Sequence, residues 1–329
     1  MIDLSTLQMR QAVGQVNELT EENLLFTRQC GLVDILMNTP KMPTTERWEY
    51  DDLMLLRERA DGFGVRLICL ENVPNSFFDK IMLGLSGRDE QLVHMQATVR
   101  NMGKAGIPIL GYHWMPSHVW RTERQLPIRG GAISNSFQYE KVKDAPLTHG
   151  RVFTTEEMWA NYDWYLSRML PVCEDAGVRM AIHPDDPPVP MLGGVARIFC
   201  DFEGFQRAME THPSPMHGLD YCHGCWSEMK GGAGILESLE YFGTRGRVIY
   251  VHLRDVQGSA EDFTECFLED GNSDIFAVVK KLKDLNFNGF IIDDHVPHFV
   301  NDTPYAHRGR AYAIGYIKAM MEAVNFGVR

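Results

Sequence analysis

Short apolar runs recur along the chain, each closed by glycine, proline or polar residues. They are GLVDILMN (31–38), VRLICLE (65–71), IPILGYH (107–113), VRMAIH (178–183), MHGLDYC (216–222), RVIYVHLR (247–254), the less continuous TECFL (264–268) and GFIIDDH (289–295). Near-continuous hydrophobicity, rich in Val, Ile and Leu, fits strands covered on both faces. Helical spacing fills most of the intervals. Met158, Tyr162, Leu166, Met169 and Cys173 share one helical face between a Thr154/Glu157 capping-box spacing and a stop at Gly177, and Pro171 predicts a kink. Further helices are expected over 89–106, 274–285 and 311–324. Eight strands alternating with helices predict an α/β (β/α)8 TIM barrel, with residues 1–329 as a single domain. A doubly wound sheet would need a glycine-rich phosphate loop after its first strand, and LMNTPKMPTTERW supplies none.

Such a barrel collects its chemistry at the carboxyl ends of its strands. Here the strand ends carry Glu71, Tyr112 and His113, His183, Asp220 and Cys222, His252 and Arg254, and Asp293, Asp294 and His295. Singly, each has a plain explanation: a hydrogen-bonded histidine, a packed cysteine, a capping aspartate. Together, His183, Cys222, His252 and Asp294 place four potential ligands on four strands at one end of the barrel, which predicts a divalent metal site. A thiolate with two imidazoles and a carboxylate suits Zn, Mn, Fe, Co or Ni better than Ca or Mg.

In AIHPDDPP (181–188), Pro184, Pro187 and Pro188 end the strand by withholding ladder donors. Asp185 and Asp186 are expected to orient the His183 imidazole or bind sugar hydroxyls, with an Asx turn as the alternative. The long segment 113–153 contains Trp114, Trp120, Arg121, Arg124 and Arg129. It is expected either to cover the barrel mouth as a lid supplying cations or to lie as a surface loop.

Composition narrows the partners. The 329 residues are 44% apolar, enough for one large core, and the net charge of -12 with no clustered Lys and Arg argues against nucleic acid. Neither an apolar run of membrane-spanning length nor a leader-like start is visible, so a soluble cytoplasmic protein without membrane partners is expected. Seven scattered cysteines do not resemble a disulfide framework, and the lone Cys222/Cys225 pair is a weak zinc or redox signal.

AIHPDDPP, the preceding helix end LPVCEDAGVRM, then YCHG, VHLRDV and DDH, together with WMPSHVWRT, resemble the mannonate dehydratase family. These are xylose-isomerase-like TIM barrels that convert D-mannonate to 2-keto-3-deoxy-D-gluconate. The likeness runs in order over residues 100–320, with HPDDPP its most specific motif. It implies that His183, Cys222, His252 and Asp294 hold the metal, commonly Mn2+, with Fe2+, Zn2+, Co2+, Ni2+ or Mg2+ as alternatives. It also implies His295 and Tyr305 as the proton-transfer pair and Arg254 as a substrate contact. His113, Arg121, Asp185 and Asp186 complete the expected sugar-acid contacts, and a homo-oligomer is expected.

Ile292-Asp293-Asp294-His295-Val296 departs from the family's Arg-Pro-Asp-His-Gly, so an arginine is replaced by Ile292. Arg254, Arg121 or Arg308 would have to stand in for it. Two other functions stay open on this reading: a metal-dependent sugar isomerase or epimerase, and a non-catalytic barrel that binds sugar acids.

Overall fold

The computed structural model describes residues 7–327. Its strands are β1 (Arg10–Gln11), β2 (Val13–Val16), β3 (Asp34–Asn38), β4 (Arg66–Glu71), β5 (Ile109–Tyr112), β6 (Glu123–Pro127), β7 (Ile133–Gln138), β8 (Arg179–Ile182), β9 (Met191–Leu192), β10 (Val195–Ala196), β11 (His217–Cys222), β12 (Val248–Leu253), β13 (Asp255–Ser259), β14 (Asp262–Cys266) and β15 (Phe290–Asp293). The helices are α1 (Glu21–Gln29), α2 (Tyr50–Gly62), α3 (Asp79–Leu83), α4 (Arg88–Ala105), α5 (Thr155–Ala176), α6 (Phe202–Thr211), α7 (His223–Lys230), α8 (Ile235–Gly243), α9 (Ile275–Asp284) and α10 (His307–Phe326).

The large sheet runs in the order β1-β15-β12-β11-β8-β5-β4-β3-β2, with every pairing parallel. Its two ends, β1 and β2, are successive parts of one stretch of chain separated by Ala12. The sheet therefore closes on itself, and the architecture is the expected α/β TIM-like barrel.

The strand assignment needs two corrections. RQAVGQV (10–16), which was not expected to be a strand, is the first barrel strand, and TECFL belongs to no barrel strand. The first was hidden because its residues are short or polar. A Cβ on Gly14 would sit 2.4 Å from Ile292 Cδ1, so the strand passes too close to its neighbour for an apolar side chain there. β14, which contains Thr264–Cys266, joins an antiparallel sheet of order β13-β14-β7-β6. Two of that sheet's strands, β6 and β7, come from the 113–153 segment.

α5 forms as its sequence demands. Thr154 accepts from the Glu157 amide, Glu157 accepts from the Thr154 amide, and Gly177 ends the helix in the left-handed region. Pro171 lies inside this helix without dividing it. Apolar residues of the helices pack against the outside of the barrel, while Ala12, Leu36, Ile68, Ile109, Ala181, Ile249, Tyr250, Phe290 and Ile292 form a separate apolar cluster. Ile292 is fully buried in that cluster.

Candidate metal centre

Parallel strands in register bring their carboxyl ends to one rim, and Cys222 on β11 lies beside His252 on β12. His183 follows β8 and Asp294 follows β15, so all four expected ligands meet there. One ligand atom each of His183, Cys222 and His252 lies within 4.8 Å of the others. Asp294 Oδ2 is 3.9 Å from Cys222 Sγ and 3.7 Å from His252 Nδ1. Bond lengths of about 2.0–2.3 Å around a tetrahedral ion require ligand atoms somewhat under 4 Å apart, close to these separations.

Hydrogen bonds set both imidazoles for ligation. His183 Nδ1 lies 2.6 Å from Pro184 O, a carbonyl that only accepts, so Nδ1 carries the proton and Nε2 keeps its lone pair. His252 Nε2 lies 2.8 Å from Glu71 Oε2. Glu71 also accepts from Tyr250 OH at 3.0 Å, Asn38 Nδ2 at 2.7 Å and Gln15 Nε2 at 3.1 Å. An acceptor so placed draws the proton to His252 Nε2. His252 Nδ1 is then a buried nitrogen with no hydrogen-bond partner, aimed toward Asp294. An orphaned buried acceptor of this kind fits a metal ligand. Gly111 makes room for the arrangement, since a Cβ there would lie 2.1 Å from Tyr250 OH and 2.8 Å from Glu71 Cγ.

Burial opposes ionisation of Cys222, but a hydrogen bond from Cys225 and the charges of Arg254 and His183 outweigh it and hold the thiol well below its usual range. Burial likewise opposes the charged form of His183, and the neighbouring Cys222 and Asp220 override it, raising the imidazole to about 10. Each of the two groups thus favours the charged form of the other, and a metal bound at Nε2 and Sγ would release the protons they hold. Burial pushes Asp220, beside His252, well above the carboxylate range.

The expected substrate contacts lie differently. Arg254, 2% exposed, donates to Asp294 Oδ2 at 3.0 Å, Glu228 Oε1 at 2.8 Å and Asp186 Oδ2 at 3.1 Å. It holds the Asp294 carboxylate in place and is covered by protein. Arg121 grips Asp186 through two nitrogens at 2.6 and 2.9 Å and reaches Glu265 at 2.6 Å. The cluster of Asp186, Cys225 and Glu228 is thus neutralised by arginine, without need of a cation. Asp185 accepts from the Phe199 amide and faces Arg197, which fixes the loop after β8. His113 accepts from the Met115 amide and packs on Phe78, and burial lowers it to about 3. None of these five residues lines the large cavity at the rim. Charged groups in the interior pair with one another because an unpaired one costs several kcal/mol.

That cavity, about 710 Å3, is lined by Asp294, His295 and Tyr305 together with Gln15, Asn135 and Arg310. His295 is 36% exposed at its side chain; its Nδ1 lies 2.7 Å from Glu265 Oε1 and its Nε2 3.8 Å from Asp294 Oδ1. Tyr305 donates to Gly14 O at 2.5 Å, and burial raises its phenol above the ordinary value. Of the arginines considered as stand-ins at 292, Arg308 is bonded to Val300 O and does not face the cavity. The arginines that do are Arg124 and Arg310, the latter 2.7 Å from Asp293 and stacked on Tyr305. Sequence reasoning gave Glu71 no role although it stands at a strand end, and it missed Glu265 because TECFL was assigned to the barrel. The mixed run Asp262-Phe263-Thr264-Glu265-Cys266, with polar residues interrupting the apolar ones, was the available sign that it differs from the barrel strands.

A closed parallel barrel with these side chains at its rim defines the class: a xylose-isomerase-like barrel with a candidate divalent-metal centre. Its sequence matches the family model for D-mannonate dehydratase (UxuA) over residues 13–150 and 145–328, and the chain belongs to that family. The mannonate dehydratase of Streptococcus pneumoniae (strain 70585) is 28% identical over 325 residues, spanning 89% of this chain and 87% of that protein. That of Thermotoga maritima is 27% identical over 337 residues, spanning 90% and 91%. The crystal structure of mannonate dehydratase from Streptococcus suis serotype 2 superposes with a TM-score of 0.89 at 26% identity, covering 98% of this chain and 95% of that one. An L-ribulose 3-epimerase structure, at TM-score 0.64 and 13% identity over 97% of this chain and 96% of its own, shares the fold. No helix among the described residues is long and apolar enough to cross a membrane.

Proposed function

We propose that this protein is a divalent-metal-dependent hydro-lyase that converts D-mannonate to 2-keto-3-deoxy-D-gluconate and water. One observation carries the reading: in a chain of this family, Asp294, His295 and Tyr305 open onto the same cavity. His183, Cys222, His252 and Asp294 would hold the metal, Mn2+ first among the candidates. Bound there, the metal supplies a Lewis acid for the carboxylate end of the sugar acid.

The protein's own groups do the rest. Dehydration removes a weakly acidic proton beside the carboxylate and expels hydroxide from the next carbon. His295, with Nε2 on the Asp294 side, is placed to take the proton. Tyr305 stays a neutral phenol and is the candidate donor to the departing hydroxide, toward which its O–H would turn from Gly14 O. Arg310 and Arg124 are the cavity's arginines, and Gln15, Asn17 and Asn135 offer amide donors to the sugar hydroxyls.

The test is a panel of aldonic acids and ketoses assayed against the Mn2+, Mg2+ and Zn2+ forms. The expected result is a 2-keto-3-deoxy acid from D-mannonate. Turnover of ketoses without aldonates would select an isomerase or epimerase instead, and stabilisation by aldonates without turnover would select a binding protein.

A further inference from the structure

The antiparallel sheet beside the barrel mouth contributes one side chain that the barrel cannot supply. Glu265, on β14, is 1% exposed and accepts from three directions. Arg121 Nε and a terminal guanidinium nitrogen reach Oε1 at 2.9 and 2.6 Å, Asn135 Nδ2 reaches Oε2 at 2.7 Å, and His295 Nδ1 lies 2.7 Å from Oε1. Asn135 is on β7 and Arg121 just precedes β6, so the sheet itself holds this carboxylate in place. His295, by contrast, sits in the loop after β15 and is more than one-third exposed at its side chain. A loop imidazole without a partner would rotate freely about its side-chain bonds, and either nitrogen could carry the proton.

We infer that Glu265 is a positioning residue, which locks the His295 ring with Nδ1–H on the carboxylate and Nε2 turned toward Asp294 and the cavity. The contact geometry requires it: a buried carboxylate already bonded to guanidinium and amide donors acts as an acceptor, so the shared proton lies on Nδ1. The remaining nitrogen is then the one 3.8 Å from Asp294 Oδ1, on the side of the metal ligands. A second consequence concerns the 113–153 segment. Through Arg121 and Asn135 its fold is tied to the orientation of His295, so the segment acts on the proposed chemistry through that ring as well as through its own cavity-lining residues.

The inference rests on the proposed role of His295, and the test separates the two. In the Mn2+-loaded protein with D-mannonate, Glu265→Gln is expected to lower kcat on the order of 10²-fold or more, as loss of an imidazole's orienting carboxylate does elsewhere. KM and metal content should stay near wild type. If Glu265→Gln does not fold, Glu265→Asp keeps the charge opposite Arg121 while drawing the carboxylate away from His295, and the same kcat loss is expected. Combined with His295→Asn, Glu265→Gln should add nothing, because its effect passes through the ring. Losses that multiply, or a kcat equal to wild type, would overturn the inference.

A measurement that needs no turnover uses Zn2+-loaded protein labelled with 15N-histidine. A downfield Nδ1–H resonance, assigned by its loss in His295→Asn, should move or vanish in Glu265→Gln. An unchanged resonance overturns the positioning role even if the protein has no activity toward mannonate. A moved resonance in an inactive protein overturns only the assigned substrate.

Discussion

Glu71→Gln changes one oxygen of a carboxylate to an amide nitrogen, and the metal centre should feel it although Glu71 is not among the four ligands. Oε1 faces Asn38 and Gln15, and Oε2 faces Tyr250 and His252. A glutamine can present its oxygen to only one side. If it accepts from Asn38 and Gln15, its NH2 meets His252 Nε2–H. That clash is relieved by losing a buried hydrogen bond or by moving the His252 proton to Nδ1, the nitrogen 3.7 Å from Asp294 Oδ2. A proton on Nδ1 blocks ligation. An unsatisfied buried polar group costs about 1–3 kcal/mol, which corresponds to roughly 5–150-fold in a dissociation constant. The assay is calorimetric or chelator-competition titration of the purified variant with Mn2+ and Zn2+, alongside its melting curve. Tyr250→Phe serves as the control, because it removes a donor from the same carboxylate without touching His252 Nε2. A folded Glu71→Gln that binds metal within about twofold of wild type would refute the reasoning.

Cys222→Ala should lose metal affinity by more than the 10–100-fold expected of an outer partner, with the melting curve of the metal-free protein little changed; metal content equal to wild type would remove Cys222 from the site. Gly14→Ala should destabilise by about 1–3 kcal/mol in urea denaturation, since its Cβ would meet Ile292 Cδ1 at 2.4 Å. Adding Ile292→Val deletes that methyl and should recover part of the loss, whereas strict additivity would count against the contact. His217 lies between the hydroxyls of Tyr112 and Tyr162 at 3.2 and 3.1 Å, and burial, then Arg247, lowers it from 6.5 to about 3. Below pH 6.5 the unfolded chain takes up a proton that the native imidazole refuses, so stability falls progressively as pH drops toward 3. Between pH 7 and 5.5 this one group should remove about 1 kcal/mol, and His217→Gln should flatten that part of the profile.

The barrel was legible because its strands, covered on both faces, keep apolar runs whatever their neighbours, and because α5 carries its own start and stop signals. That the four candidate ligands share one rim was legible for a related reason. Parallel strands end at a common rim, so His183, Cys222, His252 and Asp294 fall together once the strands are identified. RQAVGQV escaped because close packing against Ile292 selects glycine there, which weakens a hydrophobic signal. TECFL misled because a short mixed run does not say which sheet will accept it.

Sequence by itself determined the class of barrel, the rim residues and the family, since these follow from local period and from short motifs contiguous in the chain. Tertiary structure alone decided which charges meet. Arg254, Arg121, Asp185 and Asp186, expected to face a sugar acid, are covered and bonded to other protein groups. Glu71 and Glu265 each lie against an imidazole far away in the chain. Pairing of buried charges depends on distances of a few ångströms between strands that are remote in sequence, and burial multiplies the energy of each choice. No local pattern carries that information.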